Sequence, residues 1–143
     1  RSDTARINQD IGNALTMGDR VAVFPEGTTS DGTMLRHFHA SLLQPAVSVA
    51  ARLCPVAIRY IDTTGGISKS AAYVNISMLE SLRRILGQPW IEVELIFAHP
   101  INSSGKNRRE LARYAEQAIA SALSLPVPHK TPGKPFDLPG EQP

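Results

Sequence analysis

Apolar residues recur at three- and four-residue spacing in four stretches of the chain, and this spacing predicts four helices. The first runs from a cap at Ser2 or Asp3 to Gly18, since glycine commonly follows a helix end. Pro45 falls inside the second helix and should kink or restart it, because proline lacks an N–H and crowds the preceding turn. The last three helices are predicted at 35–53, 78–86 and 109–125.

Short runs of apolar and β-branched residues between these helices predict four strands. The run 21–24 is apolar throughout, which is typical of a strand buried on both faces. Two more runs, 55–61 and 71–76, follow the second helix. In the run 90–97, apolar residues alternate with two glutamates. One face of this strand should therefore be more exposed to solvent, and the strand should lie near a sheet edge.

The order of these elements predicts the α/β class, a layered mixed sheet flanked by helices. We place this domain at residues 1–125. The segment 126–143 holds six prolines and two glycines, so it should form an extended or disordered tail. The chain opens on Arg1 and is predicted to be helical almost at once, and we interpret it as the C-terminal portion of a larger domain.

Composition narrows the class of protein without specifying it. The chain has 143 residues and a net charge of +2, which is no argument for a nucleic-acid partner. The basic run 106–113 should be a solvated helix face. Cys54 is the only cysteine, which excludes an internal disulfide, and its apolar neighbours predict a buried, inert thiol. No apolar run approaches the ~20 residues that span a bilayer.

Reactive side chains concentrate in one loop, Glu26, Gly27, Thr28, Thr29 and Ser30, directly after the predicted strand 21–24. Ligands of α/β proteins bind beyond the carboxyl ends of strands, and hydroxyls and backbone N–H groups there could hold phosphate or hydroxyl oxygens. The carboxylate would repel a bare phosphate, so it should pair with an arginine or accept from a substrate hydroxyl. The spacing alone favours a plain turn with capping side chains.

Two neighbouring features predict structural roles. Asp31 should cap the turn that follows the loop rather than join the site. His37 and His39 suggest a metal pair, but no third ligand stands nearby, so we predict no metal site.

Residues Phe24-Pro25-Glu26-Gly27-Thr28-Thr29-Ser30 resemble the F-P-E-G-T-R-S block of the glycerophospholipid acyltransferases, whose best-known members are the lysophosphatidate acyltransferases. Cys54-Pro55-Val56-Ala57-Ile58 resembles a later strand of that family, and Arg1-Ser2-Asp3 resembles the stretch after an earlier block. The resemblance covers residues 1–125. It implies a glycerol-3-phosphate acyltransferase-like layering of sheet and helices.

The resemblance also implies a reaction, in which an acyl-CoA or acyl-carrier-protein thioester acylates the hydroxyl of a lysophospholipid such as 1-acyl-glycerol-3-phosphate. The loop 26–30 would bind the acceptor. No cofactor is implied beyond the thioester co-substrate. The implied partners are the two substrates and a membrane surface, at the cytoplasmic face of the inner membrane, and no nucleic acid.

The chain departs from the family pattern at two places. The family's base is the His of a His-x-x-x-x-Asp motif, and none of His37, His39, His99 and His129 has an aspartate five positions on. We therefore expect no catalytic residue in this chain and expect that motif upstream of Arg1. Thr29 stands where the family has arginine, so either another arginine compensates or the acceptor is not a simple glycerol phosphate.

Two other classes of function stay open at this point. A non-catalytic lipid- or protein-binding relative would also lack the His-x-x-x-x-Asp motif. A hydrolase is disfavoured, because no Gly-x-Ser-x-Gly elbow is present to expose a nucleophilic serine.

Overall fold

The computed structural model describes residues 2–74 and 76–128. This part of the chain contains four α-helices, one 3-10 helix and four short strands. In chain order they are α1 (Ser2–Thr16), the 3-10 helix (Ala40–Leu43), α2 (Gln44–Ser48), β1 (Arg52–Leu53), β2 (Val56–Ile61), α3 (Met78–Leu86), β3 (Glu92–Phe97), β4 (Ile101–Asn102) and α4 (Arg108–Leu123).

The strands form two antiparallel pairs, β1 with β4 and β2 with β3. In the longer pair, Val56 lies opposite Phe97 and Ile61 lies opposite Glu92. The mixture of helices and strands confirms the α/β class. The glycerol-3-phosphate acyltransferase-like layering stays a prediction.

Helix α4 provides one side of the main core. It begins with a capping box, in which the Asn107 side chain accepts from Glu110 N and the Glu110 side chain accepts from Asn107 N. Its buried face then packs against side chains from the 35–43 segment. The cluster consists of Leu35, Phe38, Leu43, Leu111, Ala112, Ala115 and Ala120.

The predicted strand at 21–24 is wrong. These residues have no regular secondary structure and belong to none of the strands in the described part of the chain. Val23 packs against the core, whereas Val21 is exposed and Phe24 is 74% exposed. An apolar run becomes a strand only where a neighbouring strand takes its backbone hydrogen bonds, and side-chain periodicity does not report such a neighbour.

Two further predictions about secondary structure need correction. The described residues of 71–76 are loop and bend rather than strand. Within the predicted helix 35–53, only 40–48 is helical, in two pieces, and Pro45 lies in the first turn of the second piece as expected for a restart. The helix begins only at Ala40, because His39 before it has an extended backbone (φ −70°, ψ 92°); its N donates to Pro25 O, at 2.8 Å, across the loop.

Cys54 also differs from its prediction, because the thiol is exposed rather than buried. The residue lies in the short connection between β1 and β2, where its neighbour Pro55 is buried instead. Apolar neighbours in sequence thus did not determine which side chain of this turn faces inward.

The remaining elements follow the sequence closely. Helices α1, α3 and α4 and strands β2 and β3 lie where they were predicted, and Gly18 has the left-handed backbone (φ 90°) expected beyond a helix end. Strand β3 pairs with β2 in a two-stranded sheet of the described residues, where both strands lie at an edge, so its edge position within the larger predicted sheet stays a prediction. Residues 129–143 of the predicted tail lie outside the described residues, and the boundary at 125 stays a prediction.

Apolar side chains remain exposed on two elements. On β3, Glu94 pairs with Arg59 on one face, while Val93, Leu95 and Phe97 are exposed on the other. On α3, Met78, Leu79, Leu82 and Leu86 are exposed. No helix within 2–74 and 76–128 combines the length and hydropathy that crossing a membrane requires.

A matched pair of leucine substitutions tests where the core lies. Leu111 is 0% exposed and Leu86 is 73% exposed, each within a helix. Leu111→Ala should lower the free energy of unfolding by about 2–5 kcal/mol, because it removes buried methyl groups and leaves a cavity. Leu86→Ala should change it by less than about 0.5 kcal/mol. Urea denaturation followed by circular dichroism measures both, and equal effects would place the core elsewhere.

Candidate functional site

The loop predicted to bind substrate begins with a tight turn. Gly27 N donates to Phe24 O at 3.2 Å, and Gly27 has a left-handed backbone (φ 67°). A Cβ at this position would lie 2.9 Å from His39 Cδ2, closer than carbon atoms pack. The left-handed backbone favours glycine here, and a larger residue would also have to displace the exposed His39 ring.

The Glu26 carboxylate forms a hydrogen bond that links the loop to the residues that follow it. Its Oε2 accepts from the backbone N of Arg36 at 3.0 Å, and the side chain is half-buried. The pairing anticipated from the sequence was with an arginine side chain. Within the described residues the contact is with an arginine backbone, and no ion pair involves Glu26.

The hydroxyls after Gly27 have different surroundings. Thr29 Oγ1 donates to Tyr73 O at 2.9 Å, which attaches the loop to the segment 67–74. Ser30 Oγ accepts from Gly32 N at 3.3 Å, a capping role within the turn. Thr28 is exposed. The loop therefore combines a structural turn with hydroxyl groups at its surface.

Asp31 caps the following turn, as predicted. Its Oδ1 accepts from Thr33 N at 3.0 Å and from Thr33 Oγ1 at 2.6 Å. The Thr33 hydroxyl, followed by its backbone N–H, holds the pKa of the Asp31 carboxyl below its ordinary value. The side chain is therefore a carboxylate at neutral pH.

Asp31 also lines a cavity of about 340 Å³. Thr33 joins it from the loop, Lys69 from the segment 67–74, and Arg84 from α3. The apolar part of the lining is Ile67, Ala72 and Val74. Of the predicted site residues, Thr29 lies next to this cavity through its bond to Tyr73, and Glu26 is not among the lining residues.

The loop and the segment 67–74 are packed tightly against each other. Gly32 has a left-handed backbone (φ 80°), and a Cβ there would lie 3.0 Å from Ile67 Cγ2. The cavity is therefore bounded by two pieces of chain in direct contact, with α3 providing the third side.

A buried carboxylate fixes the far end of the loop. Glu116 on α4 is 0% exposed, and its Oε1 accepts from Phe38 N at 2.6 Å and lies 2.7 Å from His37 Nδ1. His37 thus contacts α4 through one ring nitrogen, while its side chain stays 60% exposed. The described residues contain no group of three side chains suited to a metal ion.

Three functional candidates escaped the sequence reasoning. Lys69 and Arg84 lie in different elements, and Glu116 lies 79 positions from His37. The one available signal was the replacement of the family's arginine by Thr29, which allowed either a compensating arginine at an unknown position or an acceptor other than a simple glycerol phosphate. A search at fixed spacing around each histidine could not find a carboxylate so far along the chain.

Comparison with known proteins decides the family. The acyltransferase family model matches residues 1–59. A lyso-ornithine lipid O-acyltransferase of Pseudomonas aeruginosa is 37% identical over 122 residues, which cover 85% of this chain and 47% of the relative. The chain belongs to the acyltransferase family.

Other acyltransferases show the same extent of similarity. A lyso-ornithine lipid O-acyltransferase of Rhizobium meliloti is 32% identical over 80% of this chain and 44% of the relative. A 1-acyl-sn-glycerol-3-phosphate acyltransferase of Neisseria gonorrhoeae is 29% identical over 87% of this chain and 49% of the relative. The chain spans about half the length of the curated relatives it matches. No solved structure matches it.

The role of Glu116 in this acyltransferase chain can be tested by two substitutions. Glu116→Leu leaves Phe38 N–H buried without an acceptor, so it should lower the free energy of unfolding by about 1–3 kcal/mol. Glu116→Gln keeps an oxygen acceptor and should cost less. Thermal and urea denaturation measure the order of the two, and the reverse order would contradict this role.

The titration of Asp31 provides a second test. Thr33→Val removes the hydroxyl donor, so the pKa of Asp31 should rise towards its ordinary value. Thr64→Val is the matched control, because Thr64 donates to Asp62 in the same way. NMR titration of the carboxyl carbons measures both groups. A shift of Asp31 in the control instead would refute the assignment.

Proposed function

We propose that the complete protein transfers an acyl group from an acyl-CoA or acyl-carrier-protein thioester to the hydroxyl of a lysolipid. The observation that carries this proposal is the similarity to lysolipid O-acyltransferases over 85% of the chain. The family match at 1–59 includes the whole loop 24–30. This chain would supply the part that binds the acceptor.

The proposed reaction forms one bond and breaks one. The acceptor oxygen bonds to the acyl carbonyl carbon, and the carbon–sulfur bond breaks. The hydroxyl proton passes to a general base, and the departing thiolate gains a proton to become a free thiol. By resemblance, that base is a His-x-x-x-x-Asp histidine, which this chain does not contain. No cofactor beyond the thioester is proposed.

The loop 26–30 would orient the acceptor for this step. Its turn is held by Gly27 and by the Glu26 contact to Arg36, so its hydroxyls and its carboxylate have fixed positions before substrate arrives. One carboxylate oxygen of Glu26 holds the loop, and the other can accept from an acceptor hydroxyl. This division keeps the loop closed while the substrate binds.

The acceptor we propose has an amino-acid headgroup rather than a glycerol phosphate. Thr29 removes the cation that the family places beside phosphate. The similarity to two lyso-ornithine lipid O-acyltransferases, at 37% and 32% identity, exceeds the 29% to a 1-acyl-sn-glycerol-3-phosphate acyltransferase. The reaction would take place at a membrane surface, on the cytoplasmic side, where lysolipids partition. The acyltransferase layering expected from the family would provide the surrounding scaffold.

A conservative substitution tests the loop. In the complete protein, Glu26→Gln keeps an acceptor for Arg36 N and removes the charge, so kcat/KM for the lysolipid should fall about tenfold or more while the melting temperature is retained. Glu92→Gln, at an exposed site on β3, is the control and should leave kcat/KM unchanged. Product formation is followed by mass spectrometry of the diacyl lipid.

The outcomes separate the alternatives. Unchanged turnover in Glu26→Gln would contradict the role of this loop. Lysolipid binding without any transfer in the unsubstituted protein would favour the non-catalytic binding relative.

A further inference from the structure

We infer that the cavity between the 28–33 loop, the 67–74 segment and α3 binds a lipid headgroup that bears both an ammonium and a carboxylate. Asp31 would bind the ammonium, and Lys69 with Arg84 would bind the carboxylate. The inference rests on the proposed function, because it names the residues that select the acceptor of that reaction.

The first support is the presence of both signs of charge in one cavity. Asp31 accepts both bonds from Thr33 through Oδ1, which leaves Oδ2 for a ligand. The Thr33 hydroxyl also keeps the carboxyl ionised by lowering its pKa. A phosphate bound by Lys69 and Arg84 would be repelled by this carboxylate, whereas an ammonium beside a carboxylate would be attracted to it, so the carboxylate favours a headgroup with both charges.

The cationic side provides donors suited to a carboxylate. Arg84 donates through Nε to Glu80 Oε1 at 3.0 Å, so its two terminal nitrogens can bind a second carboxylate. The Glu80 pair is exposed and spaced i, i+4, and such pairs contribute little stability. Lys69 is exposed and has no ion pair within 2–74 and 76–128.

The size and the apolar lining fit a headgroup rather than a whole lipid. The volume of about 340 Å³ lies at the lower end of small-molecule sites, which run from roughly 300 to 1,000 Å³. Ile67, Ala72 and Val74 can contact the methylene groups that separate the two charges of a basic amino acid.

The cavity lies close to the loop 26–30, which we propose binds the acceptor. Thr29 is bonded to Tyr73 O, and Gly32 packs on Ile67. Lys69 and Arg84 therefore supply positive charge beside a loop whose own arginine is replaced by Thr29.

The experiment measures acceptor preference in the complete protein. The acceptors are lyso-ornithine lipid and lysophosphatidate with matched acyl chains, presented with one acyl-thioester donor. The variants are Asp31→Asn, Lys69→Met and Arg84→Gln. The controls are Asp62→Asn and Arg83→Gln. Asp62 accepts from Thr64 N and Oγ1 at 2.8 and 2.6 Å, as Asp31 does from Thr33, but lies outside the cavity lining.

Each variant should change the preference in a definite direction. Loss of a charge-assisted hydrogen bond should raise KM for lyso-ornithine lipid about tenfold in all three cavity variants. Asp31→Asn should lower KM for lysophosphatidate, because it removes a repelling charge. The two controls should stay within about twofold of the unsubstituted protein, and thermal melting should be retained throughout.

The possible failures are distinguishable. Equal KM changes for both acceptors, or equal effects of the controls, would overturn the headgroup site while leaving the acyltransfer proposal intact. If no acceptor is acylated, the proposed function fails, and binding of the same five variants to lyso-ornithine lipid micelles then decides the site. Binding lost only in the cavity variants supports it, and binding retained in them overturns it.

Discussion

The position of the loop 24–30 depends on one buried carboxylate. Glu116 on α4 accepts from Phe38 N and contacts His37 Nδ1, and it thereby joins parts of the chain nearly eighty residues apart. A buried polar atom is stable only with a hydrogen-bond partner, and within the described residues this oxygen is the acceptor for the buried N–H of Phe38. The contact places Phe38 in the core beside Leu111, so the loop leaves the core at a fixed point.

From that point the loop is closed by backbone geometry. His39 N donates to Pro25 O, Arg36 N donates to Glu26, and Gly27 adopts the left-handed backbone of the turn next to His39. The Thr29 contact to Tyr73 then attaches the loop to the segment that lines the cavity. Substrate-binding groups held by the fold before binding are what positioning catalysis requires. The carboxylate at position 26 has a structural task here in addition to any contact with substrate.

Local sequence patterns correctly predicted the helices and strands that depend on their own side chains or on hydrogen-bond partners nearby in the sequence. Helix α4 has a capping box and an apolar stripe, and β2 is rich in β-branched residues, so both were placed correctly. The run 21–24 carried an equally clear strand pattern and is irregular loop, because no described strand pairs with it. For the site, the F-P-E-G-T-T-S loop was found from its residues, and its contribution to binding remains a prediction.

The sequence by itself determined the family resemblance, the α/β class and the glycine-dependent turn. Each of these depends on residues that are close to one another along the chain. Only the tertiary structure decided that Glu26 contacts a backbone N–H, that Glu116 holds the loop, and that Asp31, Lys69 and Arg84 share a cavity. The physical reason is that charges and hydrogen-bond partners act over a few ångströms in space. Which distant residues come that close is determined by the packing of the whole chain.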